Sequence, residues 1–116
     1  MQSKELVTLV EEAVDDRKAV DALTLEVSGL TSITDYMVIA SGTSDRHVRS
    51  IAENVIEQVK AAGIEVLGVE GQDFGEWVLV DLADVVVHIM QPRVRDFYKL
   101  ENLWNMDAAP DAGAAG

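Results

Sequence analysis

Cysteine is absent from this chain of 116 residues. That excludes disulfides, thiolate nucleophiles and every thiolate-held zinc or iron–sulfur site. Histidine is nearly absent too: His47 and His88 are the two present, far apart in the chain and in no metal-ligand spacing. Bases are scarce, 9 Lys+Arg against 21 Asp+Glu, for a formal charge of -12. Such a field repels phosphate backbones and anionic membrane surfaces. Direct DNA binding and membrane binding are therefore disfavoured, and a basic or mixed protein surface is the better partner. The cations clustered enough to make a local exception are Arg46, Arg49, Arg93, Arg95 and Lys99. No apolar run approaches the length of a membrane span. Residues 1–16 lack the basic and apolar regions of a secretory signal, so the expected compartment is cytoplasmic.

What is present is enough to fold. With 48% hydrophobic and 26% charged residues the composition is globular, and the length fits one domain. Leu6, Val7, Val10, Ala13 and Val14 recur at helical spacing over 3–18, with Ser3 as the expected cap. Residues 22–27 alternate as a strand with one buried face, and 36–40 form a continuous apolar run suited to a strand covered on both sides. Val48, Ile51, Ala52, Val55, Ile56 and Val59 define an amphipathic helix, capped by Thr43 or Ser44 and ended by Gly63. With 64–69 as the next strand, this makes a βαβ unit joining parallel strands. Residues 77–82 and 85–90, separated by Ala83-Asp84, read as an antiparallel hairpin. Pro92 opens a final helix or helix pair carrying Val94, Phe97, Tyr98, Leu100 and Trp104. The expectation is a single α/β domain over 1–105, with a mixed sheet of about five strands flanked by helices, and a disordered Ala/Gly-rich tail over 106–116.

Catalytic equipment is thin. The stretch Ser41-Gly42-Thr43-Ser44 between a strand and a helix is where a phosphate can be held. It has one Gly, no Lys and neither the Walker nor the dinucleotide spacing. A nucleotide-dependent transferase using this loop is the alternative function. Its metal chemistry needs carboxylates converging after the loop, and the next segment is instead a helix carrying Glu53 and Glu57. Asp81 and Asp84 flank the hairpin turn, where Asp is ordinary turn chemistry rather than a metal pair. His88 shares strand parity with Val86 and Met90, which favours a structural histidine. No catalytic residue, metal site or cofactor is assigned.

The more informative segment is 70–84, which holds Glu70, Asp73, Glu76, Asp81 and Asp84 and no Lys or Arg. Trp77 has the parity of Leu79 and Asp81, opposite to Val78, Val80 and Leu82. An aromatic among acids is the make-up of an interface anchor with a charged rim. A Trp that merely caps the core fits the periodicity equally well.

Three ordered blocks carry a resemblance. The first is 34–44 with Arg46-His47-Val48 and Ile51-Ala52. The second is Glu70-Gly71 with 77–81 and 84–90. The third is Arg95, Phe97-Tyr98, Leu100-Glu101 and Leu103-Trp104. Together they resemble the ribosomal silencing factor family, also called the Iojap family, across 3–104. Met37 stands where Phe is common in that family, Met90 occupies a variable apolar position, and the tail beyond Trp104 extends past the usual end. The resemblance implies a cytoplasmic, nucleotidyltransferase-like α/β fold without catalytic carboxylates or established catalysis. It implies binding to the large ribosomal subunit through ribosomal protein number fourteen on the intersubunit face. It further implies obstruction of small-subunit joining, lower translation when nutrients are scarce, and a homodimer when free. On this reading Trp77 and Leu82 are the apolar anchors, Glu70, Asp81 and Asp84 the charged contacts, and Met90 and Tyr98 lie nearby.

Overall fold

The computed structural model describes residues 2–103, in the order α1 (Ser3–Asp16), β1 (Val20–Glu26), β2 (Tyr36–Ser41), α2 (Asp45–Ala61), β3 (Gly68–Glu70), β4 (Trp77–Asp81), β5 (Val85–Met90), α3 (Pro92–Tyr98) and α4 (Leu100–Leu103). The five strands form one mixed sheet in the order β1-β2-β5-β4-β3. β2 pairs with β5 in parallel, and every other neighbouring pair is antiparallel. The expected single α/β architecture with a five-stranded mixed sheet is thus the one found. Trp104 and the 106–116 tail lie outside the described residues, as does the end of the expected 1–105 domain.

Helix ends follow their capping chemistry. Ser44 Oγ accepts from the His47 amide at 3.0 Å, and Gly63 ends α2 at φ 83°. Ser3 is not the cap of α1. Gln2 takes that place, its amide donating to Glu5 at 2.8 Å, while the Ser3 hydroxyl donates to Asp35 at 2.8 Å. A capping carboxylate three residues into the helix outcompetes a hydroxyl that has a tertiary partner. Lys99, at φ 50°, separates α3 from α4.

The two largest departures from the expected strand boundaries have physical reasons; the others are of one residue. β1 begins at Val20 because a one-residue bulge between Val20 and Leu23 lets the chain pair beyond the alternating stretch. β3 is three residues long rather than spanning 64–69: Ile64 is tied back to the Val59 carbonyl at 2.9 Å, and pairing with β4 starts only at Gly68. The expected crossover exists, but its two strands are not neighbours. β3 runs in the direction of β2 with β5 and β4 between them, because the later hairpin fills the gap.

The sheet's two faces are covered unequally. Val38, Val78, Val80, Val85, Val87 and Ile89 point to one side and are sealed by Leu6, Val10 and Val14 of α1 and Val48, Ile51, Val55 and Val59 of α2. These side chains exclude water almost completely, and each contributes roughly 1.5–3 kcal/mol of burial. The other side has a smaller cluster of Met37, Ile39, Met90 and Val94, with Leu25, Trp77 and Leu100 packed on it. No helix among the described residues is long and apolar enough to cross a membrane.

Candidate functional site

Register arranges the less covered face in rows. Leu25, Met37, Val86 and Asp81 lie side by side, then Leu23, Ile39, His88, Leu79 and Glu70, then Ser41, Met90 and Trp77. α3 sits over the third row, where Val94 seals Met90. Leu25, Leu79, Asp81 and Val86 remain part-exposed. This sheet face is thus left half open, with part-exposed apolar side chains along it.

Trp77 anchors the covered end. Its indole N–H donates to His88 Nδ1 at 3.0 Å, and its ring lies 4.9 Å from that of Tyr98, centroid to centroid. His88 is 6% exposed, and burial lowers its pKa from 6.5 to about 4. Nδ1 therefore accepts, the neutral ring keeps its proton on Nε2, and Trp77 is held in one orientation. Beside it, Phe97 meets Tyr98 edge-on at 5.0 Å and is 78% exposed. Trp77, Phe97, Tyr98, Glu76, Arg93, Val94 and Asp96 enclose a hollow of about 660 Å³.

The sequence-derived site is divided by this geometry. Trp77, Met90 and Tyr98 come together, although Met90 is 0% exposed and supports the surface from beneath. Leu82 does not join them. It is 3% exposed and packs with α1 and α2, since its parity puts it on the face opposite Trp77. Glu70 pairs with Leu79 in the middle row. Asp81 and Asp84 lie toward the far end of the hairpin, with Asp81 about 13 Å along β4 from Trp77. Asp81 accepts from the Ala83 amide at 2.9 Å, which is the expected turn role. The acids of 70–84 are therefore spread along the face rather than gathered at Trp77. His88, Glu76 and Arg93 were missed as members of the site. The signal was present for His88: a two-residue turn at Ala83-Asp84 sets a register in which Trp77 is diagonal to it.

The Ser41–Ser44 loop is internally engaged. Ser41 Oγ accepts from Arg95 at 3.0 Å, the Thr43 amide donates to His47 Nδ1 at 2.8 Å, and Ser44 caps α2. Among the described residues no three His, Asp or Glu side chains converge as a metal site.

Fold and face together define a small single-domain α/β protein whose mixed sheet is sealed on one side and presents aromatic rings and carboxylates on the other. A family described as "Ribosomal silencing factor during starvation" matches residues 1–114. The chain is 46% identical over 104 residues to a ribosomal silencing factor of Chromobacterium violaceum, covering 90% of this chain and 85% of that one. A crystal structure of a protein from the same organism superposes with a TM-score of 0.90 at 46% identity, over 90% of this chain and 88% of the other. A mouse protein named "Mitochondrial assembly of ribosomal large subunit protein 1" is 33% identical over 94 residues, covering 78% of this chain and 41% of its own length. The chain belongs to the ribosomal silencing factor family.

Proposed function

We propose that this protein binds the large ribosomal subunit through ribosomal protein number fourteen on the intersubunit face. Bound there, it blocks association with the small subunit and represses translation under nutrient limitation. The observation that carries the reading is the half-open sheet face: Trp77 and Tyr98 at one end, part-exposed Leu79 in the middle, Val86 and Asp81 toward the other end, with Glu70 beside Leu79 and Asp84 in the hairpin turn. A protein that stands on rRNA presents basic residues on its free surface, and an acidic face steers toward it. The large-subunit assignment is supported by the mouse relative's name. The contacting residues are Trp77, Tyr98, Glu70, Asp81 and Asp84, with Met90 supporting the face from beneath, while Leu82, buried on the opposite face, takes no part. When no ribosome is available, the same apolar patch pairs two copies, so the dimer competes with ribosome binding. The protein acts in the cytoplasm, as a binding protein rather than an enzyme.

Light scattering during mixing of purified subunits tests this reading. Added protein should lower the extent of joining, and Trp77→Ala should restore most of it. Full joining in the presence of saturating wild-type protein would refute the obstruction.

A further inference from the structure

We propose that the hollow between β4 and α3 is a receptor for the cationic end of a partner's arginine or lysine side chain. The proposal rests on the reading of this face as a protein contact and specifies the chemistry of one anchor point. The hollow, about 660 Å³, is lined by the rings of Trp77, Phe97 and Tyr98 and by the carboxylates of Glu76 and Asp96. Phe97 is 78% and Tyr98 52% exposed, an aromatic surface that folding leaves in water. Trp77 has its N–H already satisfied by His88 at 3.0 Å. It therefore offers a ligand no hydrogen-bond donor; its part-buried ring lies against that of Tyr98 at 4.9 Å, and the exposed rings of Tyr98 and Phe97 present the π faces that attract cations.

The acids around the rings add the matching charge. Glu76 and Asp96 have side chains 62% and 82% exposed, so both carboxylates are within reach of an incoming cation. Their present partners are weak competitors: Arg93 approaches Glu76 at 3.6 Å and Lys99 approaches Asp96 at 3.2 Å, both in solvent. Arg93 shows that a guanidinium fits the rim, and a partner cation displaces it. The formal charge of -12 on the whole chain favours encounter with a basic protein.

The test is an NMR titration of the Trp104→Phe protein, in which Trp77 is the remaining indole, with Nα-acetyl-arginine amide and its neutral citrulline analogue at constant ionic strength. Arginine should shift the Trp77 and Tyr98 signals saturably, and citrulline should bind at least fivefold more weakly. Tyr98→Leu, at a half-exposed position that tolerates change, should lower arginine affinity at least fivefold, and Arg93→Ala should raise it. Equal shifts from the two compounds, no shifts, or shifts indifferent to Tyr98→Leu would overturn the receptor. Co-sedimentation of the same proteins with large subunits separates the two claims. Ribosome binding without arginine binding removes the receptor alone, whereas arginine binding without ribosome binding removes the ribosomal reading and leaves the receptor.

Discussion

The indole of Trp77 donates to Nδ1 of His88 at 3.0 Å, diagonally across the β4–β5 ladder, while the residues directly opposite them are Met90 and Leu79. The bond consumes the only polar group of the Trp side chain and the acceptor of a buried imidazole. It thereby couples the orientation of a surface ring to the protonation state of a core residue.

That coupling sets an acid dependence of stability. The folded-state pKa of His88 is lowered by burial to about 4 from 6.5. Between those values the unfolded chain binds the proton and the folded chain does not. The contribution of the neutral imidazole is therefore complete above pH 6.5 and is lost as pH falls toward 4, by about 3 kcal/mol in all. Urea unfolding of wild type and His88→Gln at pH 7 and pH 4.5 should show a smaller loss in the variant. Equal losses would mean that His88 titrates normally in the folded protein.

Trp77→Ala is expected to weaken large-subunit binding by about 2 kcal/mol, roughly thirtyfold, if the ring is an interface hot spot. Neutralising Glu70, Asp81 or Asp84 should instead slow association and flatten its salt dependence. Stopped-flow binding at two salt concentrations distinguishes these effects.

Gly71 lies at φ 84°, and a Cβ there would collide with the Trp77 carbonyl oxygen. Gly71→Ala should destabilise the fold by about 2 kcal/mol or more and disturb the start of β4. Gly29, with open space around it, is the control: Gly29→Ala should change stability by no more than about 0.5 kcal/mol. Chemical denaturation of both variants checks the contrast.

Asn54 is 3% exposed, and its Nδ2 donates to the Ala13 carbonyl at 2.8 Å, joining the middle of α2 to the last turns of α1. Asn54→Leu leaves that carbonyl without its donor and should cost about 1–3 kcal/mol in thermal or urea unfolding.

Local patterning made most of this architecture legible. The 3.6-residue spacing of α2, the Ser44 cap and Gly63 stop, and the hairpin about Ala83-Asp84 are all written in nearby residues. Strand order was not, because the insertion of β5 and β4 between β2 and β3 depends on which apolar faces meet after collapse. The cap of α1 was misread because Ser3 is occupied by Asp35, distant in sequence. For the site, parity separated Trp77 from Leu82, but Leu82 was nonetheless expected at the surface; burial by α1 and α2 corrects that. The bond to His88 required strand register, and the hollow with Glu76 and Arg93 required the placement of α3 over the third row.

The most direct test of the central claim is co-sedimentation of the purified protein through density gradients with free large subunits, free small subunits and associated ribosomes. The expected result is binding to free large subunits alone, with exclusion from associated particles and strong loss on Trp77→Ala. Absence from the large-subunit fraction, or equal binding to free and associated large subunits, would contradict it.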